Sequence, residues 1–107
     1  DFKMKKYQVN ITQPAEEDLR EIADHVSREL LEPQLAEKLI DTIAEEISYL
    51  EDMPFRHGLV RDERLAAQGF RKLVIDNYIT FYAVAEKEHT VTIIRILHGR
   101  RDWINLI

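Results

Sequence analysis

The sequence predicts a two-layer α+β domain of order β-α-α-β-β-β with a short helical tail. Three observations carry this. Residues 7–12 alternate apolar and polar, the period of a half-buried strand. Two long stretches repeat apolar residues at helical spacing, each opened by a proline. Residues 69–98 hold three strand-like runs separated by two short turns.

Each element follows in order. Asp1–Lys3 read as a remnant ahead of a natural start at Met4 and are set aside. In the first strand Tyr7, Val9 and Ile11 point one way and Gln8, Asn10 and Thr12 the other. Gln13-Pro14 opens a helix, because proline lacks only an N–H that has no partner in the first turn. Glu16, Glu17 and Asp18 place negative charge in that turn, where the helix dipole favours it. Leu19, Ile22, Ala23, Val26 and Leu30 form its apolar stripe. Glu32-Pro33 opens a second helix, with Ala36, Leu39, Ile40, Ile43, Ile47 and Leu50 on one face and Glu37, Asp41, Glu45 and Glu46 on the other. Two helices of about 18–20 residues with almost no linker make an antiparallel hairpin with arms of about 27–30 Å. Asp52-Met-Pro54 stops the second helix. Phe55–Gln68 is irregular, with room for a short strand or one helical turn.

Gly69 opens the sheet. Phe70–Ile75 is a strand, and Asp76-Asn77 is a turn pair tolerant of left-handed backbone. Tyr78–Val84 is the next strand, Glu86–His89 a charged turn, and Val91–Leu97 an apolar run that reads as a central strand. Strands two to four form an antiparallel meander. Strand one joins that sheet to satisfy its backbone, and the helical hairpin covers one face. Asp102 is placed to cap a last turn through Trp103–Ile107.

The 107 residues form one domain over 1–107, and 45% hydrophobic content excludes a disordered chain. No cysteine is present, which excludes disulfides and thiolate metal sites and agrees with a cytoplasmic location. No apolar run approaches the ~20 residues of a membrane span, so no membrane partner is expected. The net charge of -5 argues against a protein that coats nucleic acid. The charge is unevenly divided. Residues 1–55 hold 6 basic and 14 acidic side chains, net -8, and residues 56–107 hold 9 and 6, net +3. Only the second half suits an anionic target.

No phosphate-binding glycine loop and no H-x-x-x-H zinc pattern occurs. Ser27, Ser48, His25 and His89 read as surface residues. The notable cluster is Arg95, His98, Arg100 and Arg101, with Arg71 and Lys72 on a neighbouring strand. Arg95 interrupts an apolar strand on the face of Val91, Ile93 and Leu97, where a charge needs a partner. Either Asp76, Asp102 or a helix carboxylate pairs with it, or it orients a functional surface at the sheet end. His98-Gly-Arg-Arg-Asp102 gathers guanidinium forks suited to phosphate or carboxylate around a glycine turn. His57 with Arg56, Arg61 and Arg64 is a second basic group. Trp103, Ile104, Leu106 and Ile107 make a tail that either folds back on the core or serves as an apolar handle.

Gly69-Phe-Arg-Lys-Leu-Val-Ile-Asp-Asn-Tyr-Ile-Thr-Phe-Tyr82 and Val91-Thr-Ile-Ile-Arg-Ile-Leu-His-Gly-Arg-Arg-Asp102 resemble the ParE/RelE toxin superfamily of type II toxin–antitoxin operons. Thr12-Gln-Pro-Ala-Glu-Glu-Asp-Leu19 is similar to that family's first helix, so the resemblance spans Tyr7 to Asp102. It implies an antiparallel sheet under a helical hairpin and one of two activities. RelE-like members cut mRNA in the ribosomal A site, and ParE-like members poison DNA gyrase. RelE-like enzymes resemble one another in an arginine after the tyrosine of the third strand, where this chain has Ile79 after Tyr78. Their second-strand lysines are matched at best by Arg71, with Leu73 at the other position. The tail offers Trp103, a poor proton donor. Tyr78, Phe81 and Tyr82, the long hairpin and the His-Gly-Arg-Arg-Asp ending look more like ParE.

The resemblance therefore implies a ParE-like gyrase inhibitor, bound and neutralised by a cognate antitoxin in a hetero-oligomer. Its target-binding residues are expected to be Arg95, His98, Arg100, Arg101 and Trp103, with no catalytic residue, cofactor or metal. The alternative is a metal-independent, ribosome-dependent endoribonuclease acting on mRNA through Arg71, His98 and Arg101. A diverged member kept for antitoxin binding alone is the third reading.

Overall fold

The structure is a computed structural model that describes residues 6–29 and 31–107. The expectations about Asp1–Lys3, Met4 and Leu30 lie outside the described residues. Strand β1 (Gln8–Ile11) leads into helix α1 (Gln13–Glu29), and α2 (Pro33–Ser48) returns and ends in a 3-10 turn (Tyr49–Glu51). A short helix α3 (Glu63–Ala67) precedes β2 (Phe70–Ile75), β3 (Tyr78–Ala85) and β4 (Thr90–His98), and a 3-10 turn (Trp103–Asn105) follows. The sheet order is β1-β4-β3-β2, with β1 parallel to β4 and the other pairs antiparallel. β4 is central, as its apolar run predicts.

Local chemistry explains the ends. Thr12 Oγ1 accepts the Ala15 N–H at 3.2 Å, so threonine caps α1 and Pro14 sits where no donor is needed. Asp76 takes the left-handed conformation that the turn requires, at φ 52°. The main core lies between the hairpin and one sheet face, built from Ala15, Ile22, Val26, Ala36, Ile43, Ile47 and Leu50 against Leu73, Ile75, Tyr82, Val91, Ile93 and Ile96.

Four features refine or depart from the sequence reading. First, Phe55–Gln68 holds the helical turn for which the sequence leaves room. Asp62 Oδ1 accepts the Leu65 N–H at 3.0 Å and caps α3, and Val60 N–H bonds the Phe70 carbonyl at 3.0 Å along the β2 edge. Second, α3 and the C-terminal tail cover the face opposite the hairpin. Val60, Leu65, Phe81 and Leu97 form a smaller core there, packed by Phe70, Ile79, Trp103, Leu106 and Ile107. Third, β4 carries a bulge. Phe81 pairs with Arg95 but Tyr82 with Ile93, leaving Ile94 as the extra residue. The alternation reverses there, so Ile96 joins Val91 and Ile93 in the main core while Leu97 joins the smaller one. Arg95 therefore does not share the face of Val91 and Ile93. Fourth, Asp102 does not cap the last turn through a backbone donor, because its carboxylate accepts the Asn105 side-chain amide at 2.6 Å.

Candidate functional site

The site begins where β1 stops. β1 pairs with β4 only as far as Ile11 opposite Ile93, and β4 continues to His98 with that edge open. Thr12, which caps α1, and Asp18 within the helix take over the pairing. Thr12 N–H donates to the Ile93 carbonyl at 3.1 Å, and its hydroxyl donates to the bulged Ile94 carbonyl at 2.9 Å. Asp18 accepts the Ile96 N–H at 2.9 Å. The same carboxylate holds Arg95 by a two-point grip, Nε to Oδ2 at 2.7 Å and Nη2 to Oδ1 at 2.9 Å. Arg95 Nη1 reaches on to the Leu106 carbonyl at 3.1 Å. One side chain thus ties helix, sheet edge and tail together. The Asp18 hydrogen bonds push the arginine pKa up, against the opposing effect of burial.

Asp18 is only 5% exposed. Beyond the dipole role that its place in the sequence suggests, it is the counter-ion of Arg95. Its sequence signal is its place between Ala15 and Ile22 on the buried face of α1, where a carboxylate demands a cationic partner. Of the three partners open to Arg95, the helix carboxylate is the one found.

Beside this strut the hairpin and the sheet end diverge. One cleft of about 350 Å³ is lined by Asp18, Glu21, Ile22, His25, Tyr78, Ile96, Leu97, His98 and Arg101. A second, of about 560 Å³, is shared by Val26, Leu35, Leu39, Asp76 and Asn77. Both include His25, Tyr78 and His98, so they form one trench with these residues at its waist. Tyr78 and His98 are cross-strand partners whose rings meet edge to face at 5.4 Å, and burial pushes the Tyr78 phenol pKa up. His98 Nδ1 accepts the Arg100 N–H at 3.1 Å, which puts the proton of the neutral ring on Nε2. Gly99 N–H bonds the Asn77 carbonyl at 2.8 Å and closes the turn against the β2–β3 hairpin. The trench line-up includes His25 and Glu21, which share one side of α1 at helical i,i+4 spacing.

The expected site residues separate into three places. His98 and Arg101 line the trench, and Arg100 is exposed on the same turn. Arg95 spends its fork on Asp18 and the tail. Trp103 packs on Phe81 at 4.8 Å between ring centroids, so the tail folds back and Ile104 is its exposed large side chain. Arg71 lies elsewhere. It pairs with Tyr82, four residues along β3 from the partner of His98, which sets its backbone about 16 Å from that of His98 at ~3.3 Å per residue and ~4.8 Å per strand. Its guanidinium donates to the His57 carbonyl at 2.6 Å and lies 5.0 Å from the centre of the Phe55 ring. Arg71, His98 and Arg101 are not brought together. Among the described residues no group of three or more His, Asp or Glu side chains could hold a metal ion, and no helix is long and apolar enough to cross a membrane.

No curated protein sequence matches the chain significantly. Solved structures do. The chromosomal ParDE toxin–antitoxin system of Pseudomonas aeruginosa contains a chain 25% identical, with a TM-score of 0.71 over 89% of this chain and 98% of that one. The RelBE2 toxin–antitoxin complex of Mycobacterium tuberculosis gives 24% identity and a TM-score of 0.64 over 92% and 97%. A mutant of the Escherichia coli toxin RelE in the free state gives 10% and 0.66 over 94% and 92%, a likeness of fold alone. The family model described as the ParE toxin of the type II toxin–antitoxin system parDE matches residues 9–103. With the hairpin-on-sheet fold, that match over nearly the whole described chain makes this protein a member of the ParE toxin family.

Proposed function

We propose that this toxin inhibits DNA gyrase, with the arginine-rich turn at the sheet end as its contact surface and a cognate antitoxin as its neutralising partner. The observation that carries the reading is the family match over residues 9–103, supported by the 25% identical ParDE chain. The separation of Arg71 from His98 and Arg101 also favours it. RNA cleavage by 2′-OH attack needs a base, an acid and a cation at one phosphate. These three residues offer no common phosphate position. The antitoxin partner is supported by similar structures that come from toxin–antitoxin systems. Arg100 and Arg101 are exposed and enter no ion pair among the described residues, which leaves both forks open to an acidic surface. Purified toxin added to gyrase and relaxed plasmid tests the proposal. Loss of supercoiling, reversed by the antitoxin, is expected. Unimpaired supercoiling at a molar excess of toxin would overturn it.

A further inference from the structure

The trench holds more polar side chains than the fold uses. Among the described residues, Arg101 and His25 make no side-chain hydrogen bond or ion pair, and His98 uses only Nδ1, leaving Nε2 as a free donor. The nearest buried carboxylate does not compensate them, because both oxygens of Asp18 are engaged by Arg95 and the Ile96 N–H. Surface cations ordinarily face water individually. Here one guanidinium and two imidazoles line one concave space with an aromatic ring at its waist and apolar walls of Ile22, Val26 and Ile96.

That combination specifies a ligand. Arg101 presents a planar fork that fits two oxygens of a phosphate, and His98 Nε2–H adds a third donor. Tyr78 and the apolar walls suit a flat body. Glu21 lines the cleft that holds Arg101, and Asp76 lines the other; their carboxylates disfavour a second negative group and can accept hydrogen bonds from amino groups. The smaller cleft, about 350 Å³, falls within the ~300–1,000 Å³ usual for small-molecule sites. We propose that this trench binds a nucleoside monophosphate, with the phosphate on Arg101 and His98 and the base against Tyr78. The site shares Arg101 with the proposed gyrase contact, but its titration contains no gyrase, so either reading can fail without the other.

The test is titration of the full, isotope-labelled chain with AMP, adenosine and inorganic phosphate, followed by backbone amide resonances. AMP is expected to move the signals of His25, Tyr78, His98 and Arg101 saturably at millimolar concentration. Adenosine and phosphate should each bind at least about tenfold more weakly, because each keeps half of the contacts. Arg101→Ala, at an exposed position, should weaken AMP at least about tenfold with the remaining spectrum unchanged. His98→Gln, which keeps an N–H donor, should weaken it less than His98→Ala. Absence of AMP-induced shifts, equal binding of adenosine, or AMP binding untouched by Arg101→Ala would each overturn the proposal.

Discussion

Asp18→Ala removes a carboxylate that accepts three hydrogen bonds, two from Arg95 and one from the Ile96 N–H. Two costs follow. Arg95 keeps the Leu106 carbonyl as its acceptor and loses its counter-charge, and breaking a buried pair from one side costs about 3–5 kcal/mol. Arg95's side chain is 21% exposed, so water compensates part of this and the lower end applies. The Ile96 N–H, on an edge that β1 does not reach, is left without its acceptor, a further cost of about 1 kcal/mol. The total of about 3–4 kcal/mol corresponds to a fall in Tm of roughly 12–20 °C for a domain of this size. Asp18→Asn retains one acceptor oxygen and should lose about half as much. Thermal unfolding by circular dichroism measures both. A double-mutant cycle of Asp18→Asn with Arg95→Gln should return a coupling of about 1–2 kcal/mol. A loss below about 1 kcal/mol for Asp18→Ala, or a coupling near zero, would refute the view that this pair substitutes for the missing strand.

Three further predictions concern the tail, the linker and the turn. Trp103→Ala uncovers Phe81, which is fully buried, and should cost about 2 kcal/mol, less than a wholly buried tryptophan because Trp103 is only partly buried. An unchanged urea midpoint would mean that the tail is not seated. Removal of Trp103–Ile107 should likewise destabilise the fold, contrary to a tail that acts only as a handle. Burial, with help from Arg56, holds the His57 pKa below its usual 6.5, so the unfolded chain binds this proton more readily. Its contribution is therefore present above the unfolded pKa and lost as pH falls below that value through the lower folded one. Tm should decline as pH falls below about 6.5, and His57→Asn should flatten part of that decline. An equal decline in the variant would remove His57 as a cause. Arg100→Ala with Arg101→Ala should reduce growth inhibition while changing stability by less than about 0.5 kcal/mol, since both side chains are exposed and enter no ion pair among the described residues. Full toxicity would discard the turn as a contact surface.

The fold was legible wherever one local rule decided the outcome. Proline at the helix starts, the Asp76-Asn77 turn and the apolar run of β4 each have a single low-energy solution. The bulge at Ile94 left no trace, because Val91–Leu97 is apolar on nearly both sides and offers no period to break. That hidden residue reversed the face of Arg95. The smaller core was obscured for a related reason. Its members come from an irregular linker, three strands and the tail, and no single segment shows their pattern. The α3 cap was readable in Asp62-Glu63-Arg64-Leu65, where an aspartate precedes a turn containing an apolar residue. In the site, His98 and Arg101 were identifiable from their clustering in sequence. His25 and Glu21 were not, because only the splay between hairpin and sheet brings α1 opposite Tyr78 and His98.

Gyrase poisoning is tested most directly by inducing the toxin in cells and mapping, in the same samples, gyrase–DNA cleavage complexes and the 5′ ends of mRNA. Accumulating cleavage complexes with intact mRNA are the predicted result. Codon-phased mRNA cuts with no increase in cleavage complexes would contradict it and restore the ribonuclease reading.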